Sequence, residues 1–128
     1  MGITSASDMV AAAKQQIENL NVDQVADEID QGALVVDLRE ADELAQTGKI
    51  PGAIHVPRGM LEFRADLASP YHFDELDPSR RVIVHCAAGG RSALAARTLN
   101  EMGYENVAHL DGGITAWIGA GRPTEANG

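Results

Sequence analysis

The stretch Val82-Ile83-Val84-His85-Cys86-Ala87-Ala88-Gly89-Gly90-Arg91-Ser92-Ala93-Leu94-Ala95-Ala96-Arg97-Thr98-Leu99 decides the fold. Its apolar opening reads as a buried strand, residues 82–86. Its alanine- and leucine-rich close reads as a helix, residues 92–102. Between them lies a short glycine-bearing loop with the only cysteine of the 128-residue chain. Loop N–H groups and a helix N-terminus favour negative charge at that point. A cysteine there gives up its proton more readily, and the thiolate is the reactive form. The plainer reading is a small apolar residue buried at a strand end.

Upstream, Ser7 or Asp8 caps a helix over residues 9–18, with Met9, Val10, Ala13, Ile17 and Leu20 at helical spacing. Glu18-Asn19-Leu20 reads as a short edge strand. Asn21 caps a second helix, residues 22–30, which Gly32 ends. Residues 33–37 form a buried strand of the parallel type. Residues 40–46 form a helix with an acidic first turn, stopped by Gly48. Ile50-Pro51-Gly52-Ala53 is a turn, residues 54–57 a short strand, and residues 59–64 a short helix. Downstream, Gly103 stops the 92–102 helix, residues 106–110 form a further strand, and Asp111-Gly112-Gly113 turns into a last helix through Trp117.

Strands alternating with helices mean an α/β fold with a mostly parallel sheet and right-handed crossovers. Such sheets bind ligands beyond the carboxyl ends of their strands. Asp37 and Cys86 both lie at strand carboxyl ends, so they are expected to border one site. The expected organisation is a helical N-terminal extension (1–18), one domain (19–120) and a flexible tail (121–128). The extension either packs on the domain or offers a partner surface.

A hydrophobic content of 45% and a charged content of 23% are ordinary for a globular chain, and this length supports one core. The net charge of −9 argues against nucleic acid and anionic membrane as partners, because both need a basic face. A lone cysteine makes no internal disulfide and fits a reducing compartment. The N-terminus lacks a basic region followed by an apolar one, and no apolar run approaches the roughly 18 residues of a membrane span. A cytoplasmic location is the expectation.

Four segments together resemble the rhodanese family. They are Val36-Asp37-Leu38-Arg39-Glu40 with Glu43, Gly48 to Pro57, Cys86 to Ser92, and Leu110-Asp111-Gly112-Gly113 with Trp117. Lys49 stands where that family usually has histidine, and Ala87 where it often has a basic residue. The resemblance spans about residues 20–120 and implies a doubly wound, five-stranded parallel sheet flanked by helices. It also implies a sulfurtransferase in which Cys86 carries sulfur as a persulfide. The sulfur would come from a small anionic donor such as thiosulfate and pass to cyanide, a thiol or a protein cysteine.

Thiolate substitution at sulfur releases sulfite as a stable anion, and no base is evident in the loop. Activation is therefore expected from the N–H groups of Ala87, Ala88, Gly89, Gly90, Arg91 and Ser92 converging on sulfur as in an anion nest. Ser92 caps the helix or donates to sulfur. Arg91 either meets the anionic donor or fixes the loop by pairing with Asp37 or Glu43. Arg58, beyond the Pro57 corner, is expected near the site mouth. His55, His72, His85 and His109 show no metal-ligand spacing and read as structural or surface residues, with His72 the first exception to consider. Neither a metal nor a cofactor is called for.

Two rivals remain. One is a non-catalytic or redox-sensing module that binds a protein partner. The other is a cysteine phosphatase or arsenate reductase. Those enzymes have a loop one residue longer than the four residues separating Cys86 from Arg91 here, and the shorter loop suits bound sulfur better than phosphate.

Overall fold

The fold is seen in a computed structural model that describes residues 2–127. Met1 of the expected extension and Gly128 of the expected tail lie outside the described residues. In chain order the elements are α1 (Ala6–Gln16), β1 (Glu18–Leu20), α2 (Val22–Asp30), β2 (Leu34–Asp37), α3 (Ala41–Thr47), β3 (Ile54–His55), a single 3-10 turn (Arg58–Met60), α4 (Leu61–Ala65), β4 (Val82–His85), α5 (Gly90–Glu101), β5 (Val107–Leu110) and α6 (Gly113–Gly119). The five strands form one sheet in the order β1-β5-β4-β2-β3, and every pairing is parallel. Parallel neighbours need crossovers, and the intervening helices provide them.

Alternation along the strands divides the core in two. Leu34, Val36, Val82, Val84 and Val107 face one side, against Leu61 of α4 and Ala95, Ala96 and Leu99 of α5. Val35, Ile83, Ala108 and Leu110 face the other, against Val25 of α2 and Ile114 and Trp117 of α6. With both faces covered, β2, β4 and β5 are buried along their whole length, which is why they read as continuous apolar runs.

The elements follow local chemistry. Asn21 and Gln24 form a capping box at α2, with reciprocal bonds of 2.8 and 2.9 Å. Gly48 closes α3 with φ +75°. α1 begins and ends earlier than its apolar spacing suggests. The Ser5 hydroxyl caps it by accepting from the Asp8 N–H at 3.0 Å. At its end, the Asn19 amide draws the Lys14 and Ile17 carbonyls toward β1. α5 likewise starts at Gly90 rather than Ser92, because Gly89 takes the cap position at φ +114°.

α1 lies on the domain: Ala13 is fully buried, and Lys14 pairs with Asp111 at 3.1 Å. The segment expected as a flexible tail has defined partners up to Glu125. The Pro123 carbonyl accepts from the Trp117 indole N–H at 2.8 Å, and Glu125 bridges to Lys49.

Candidate active site

Cys86 follows the last residue of β4, with three residues between it and α5, at the carboxyl edge of the sheet. It is 1% exposed. The Gly89 N–H donates to Cys86 Sγ at 3.2 Å, and Sγ lies 3.6 Å from the Ser92 hydroxyl. Burial pushes the thiol up. The Ser92 hydroxyl, the N–H groups of Ser92 and Gly89, and the Arg91 charge outweigh it and hold the thiol below its ordinary value. These contacts require the backbone reversal at Gly89 that a left-handed glycine permits.

The loop is gripped from behind by α6. The Ile114 and Thr115 N–H groups donate to the Cys86 and Ala87 carbonyls at 2.9 and 3.1 Å. With both carbonyls engaged there, the Gly89 N–H is the loop amide that bonds the sulfur. Gly113 makes the approach possible: at φ +57°, a Cβ on it would lie 2.6 Å from the Ala87 carbonyl oxygen. This is the physical content of the Leu110-Asp111-Gly112-Gly113 segment.

Arg91 makes the contact that its loop-fixing reading requires. It meets Glu43 of α3 with two hydrogen bonds, at 2.8 and 2.9 Å. Asp37 is occupied elsewhere. Its carboxylate binds the Arg39 guanidinium at 2.7 Å and the Arg39 backbone N–H at 3.0 Å, and both side chains are buried. Burial raises the Asp37 carboxyl, while Arg39 and the nearby His85 more than offset that and leave it lowered. Arg39 spends its remaining donors on Thr47 and the Gly48 carbonyl, tying β2 to the end of α3. Arg58 points along its own helical segment to Glu62, at 2.8 Å, and toward Thr98 of α5. Its position four residues before Glu62 makes that pair local. Among the described hydrogen bonds, neither Asp37 nor Arg58 reaches the 86–92 loop.

His109 and its partner Asn19, linked to the thiol through Ser92, escape a reading of the sequence. His109 in β5 is fully buried, with Nδ1 2.9 Å from Ser92 Oγ and Nε2 2.8 Å from Asn19 Oδ1. The available signal was a lone polar residue inside the run Val107-Ala108-His109-Leu110. His72 bonds the Leu76 carbonyl at 2.9 Å within its own loop. Among the described residues, no group of three or more His, Cys, Asp or Glu side chains is arranged to hold a metal ion. No described helix is long and apolar enough to cross a membrane.

The sheet and its loop define an α/β domain with a buried, acidified cysteine as candidate nucleophile. The chain belongs to the rhodanese-like domain family, whose pattern it matches over residues 21–120. It is 37% identical over 93 residues to a sulfurtransferase of Allochromatium vinosum, covering 73% of this chain and 78% of that protein. Its fold superposes with a TM-score of 0.90 on a protein of unknown function from Rhodopseudomonas palustris, described as a possible tyrosine phosphatase. The two are 38% identical, over 98% of this chain and 99% of that one. A polysulfide-sulfur transferase homodimer from Wolinella succinogenes superposes with a TM-score of 0.74 at 29% identity, over 93% and 85% of the chains.

Proposed function

We propose that the protein is a sulfurtransferase that carries sulfane sulfur on Cys86. The observation that carries this reading is the thiol itself: buried, held below its ordinary pKa, and facing the Gly89 N–H and the Ser92 hydroxyl. The thiolate attacks the outer sulfur of a donor such as thiosulfate. A bond forms from Sγ to that sulfur, the donor S–S bond breaks, and sulfite leaves with the electron pair. The acceptor, whether cyanide, a thiol or a protein cysteine, then attacks the outer sulfur and expels the Cys86 thiolate. The same N–H donors that favour the thiolate favour the persulfide anion. A reducing cytoplasm, where a lone thiol stays free, is the proposed setting.

The description of the Rhodopseudomonas protein makes phosphate-ester hydrolysis the second reading. The four residues between Cys86 and Arg91, and the engagement of Arg91 by Glu43, weigh against it. Intact-mass analysis after incubation with a donor separates the two. The expected result is a gain of one sulfur atom (~32 Da) by the cysteine-centred reaction, reversed by cyanide and absent in Cys86→Ser. No adduct with thiosulfate, mercaptopyruvate or a protein persulfide overturns the proposal. Cys86-dependent hydrolysis of a phosphate ester in its place promotes the phosphatase reading, and neither activity leaves a partner-binding module.

A further inference from the structure

We propose that His109, oriented by Asn19, is a positioning residue that receives the Cys86 proton through the Ser92 hydroxyl. The direction of the chain is fixed at its far end. The Asn19 side-chain amide donates to two backbone carbonyls, Lys14 at 2.9 Å and Ile17 at 3.2 Å. Its N–H2 is therefore committed to the end of α1, and its Oδ1 is what faces His109. An acceptor at 2.8 Å from Nε2 places the ring proton on Nε2. Nδ1 then carries a bare lone pair, aimed at Ser92 Oγ at 2.9 Å. Ser92 Oγ in turn sits 3.6 Å from the sulfur. Cys86, Ser92 and His109, all buried, thus form one polar line that ends at Asn19 on the exposed edge of β1.

The proton count is closed. The thiol proton moves to Ser92 Oγ while the hydroxyl proton moves to His109 Nδ1. One S–H and one O–H bond break, one O–H and one N–H bond form, and the products are a thiolate and an imidazolium. Nothing is oxidised or reduced. With Nδ1 protonated, the Ser92 hydroxyl is free to donate to the thiolate or, after transfer, to the persulfide. The charged groups around the line are Lys14 of α1 paired with Asp111 beyond β5, and Arg91 of α5 paired with Glu43 of α3. Burial holds His109 below its ordinary value, with Lys14 adding to that and Asp111 opposing it. The resting ring is therefore neutral and has a lone pair to offer.

The inference rests on the sulfurtransferase reading for its purpose, so its test reads the proton and not the sulfur. The experiment measures alkylation of Cys86 by iodoacetamide against pH in the wild type, His109→Asn, Ser92→Ala and the double variant. Asparagine keeps a hydrogen-bonding atom near the Nδ1 position but takes no proton. Each single variant is expected to alkylate about tenfold more slowly at pH 7, with the inflection moved up. The double variant is expected to be no slower than Ser92→Ala alone, because both changes cut one line. A His109→Asn profile that overlays the wild type overturns the relay and leaves His109 as packing. A second measurement needs no variant of the line: the His109 ring followed by NMR. The protonated ring is expected to persist to higher pH in the wild type than in Cys86→Ser, where no thiolate forms beside it. Identical ring titrations in the two proteins overturn the proposal. Persulfide mass analysis reports on sulfur separately, so either reading can fail without the other.

Discussion

Arg91 and Glu43 join the first turn of α5 to α3 through two parallel hydrogen bonds, the geometry that makes an arginine–carboxylate pair directional. The Arg91 hydrogen bonds, opposed by partial burial and aided by the Glu40 N–H and the Arg91 and Arg39 charges, hold the Glu43 carboxyl at about 2, against an ordinary 4.5. A carboxyl lowered on folding stabilises the fold fully above its ordinary value, and that contribution disappears as pH falls through the folded value. Glu43→Gln is therefore expected to cost about 1 kcal/mol above pH 5, the scale of a partly exposed pair, with the difference shrinking as pH falls toward the folded value of about 2 and gone below it. Urea unfolding of both proteins across that range checks it; a penalty that stays constant with pH assigns the effect to packing instead. This pairing was one of the two roles open to Arg91 in the sequence. The Asp37–Arg39 pair was not legible, because Arg39 lies beyond the strand, where alternation no longer says which way a side chain points. β2 ends at Asp37.

The contact between α6 and the 86–92 loop is where two elements make one site. Gly113 sits at φ +57° with its α-carbon against the loop backbone. Alanine there meets both the left-handed penalty and a collision with a carbonyl. Gly103 offers a matched comparison: φ is +101°, but nothing lies within 4 Å of its added Cβ. Gly113→Ala is expected to lose more than 2 kcal/mol of stability and about tenfold or more in sulfur transfer, as the Ile114 and Thr115 hydrogen bonds to the loop are stretched. Gly103→Ala is expected to lose about 1 kcal/mol and keep its transfer rate. Thermal unfolding and a transfer assay on both variants decide it; equal rate losses in the two would mean that α6 does not shape the loop. Elements were the most legible scale, since capping boxes and terminal glycines act locally. α2 with Asn21 and Gln24 is the clearest case. The boundaries that shifted, at α1 and α5, moved where a local side-chain hydrogen bond from Asn19 or a glycine cap at Gly89 overrode side-chain periodicity.

The parallel sheet brings residues 19, 86, 92 and 109 together although up to 90 positions separate them, and no spacing rule in the sequence encodes that. Cys86 was legible because strand, loop and helix are contiguous. His109 and Asn19 were not, because their meeting depends on β1 lying beside β5. The same global view bears on how an anionic reagent reaches the thiol. The charged side chains around the site are mutually paired: Arg91 with Glu43, Arg39 with Asp37, Lys14 with Asp111. Close to the sulfur what remains is the Arg91 charge and the helix terminus acting within its first turn, against a whole-molecule net charge of −9. The range of the second is set by salt, with a Debye length of roughly 30 Å at 0.01 M and roughly 8 Å at 0.15 M. At low salt the long-range repulsion wins at the distances over which an anion approaches; at higher salt only the local field survives. The alkylation rate of Cys86 by anionic iodoacetate, divided by that by neutral iodoacetamide, is therefore expected to rise about threefold between those two conditions. A ratio that falls with added salt would mean that the loop and the α5 terminus attract anions more strongly than the molecule repels them, and that charge beyond the site plays no part in admitting the sulfur donor.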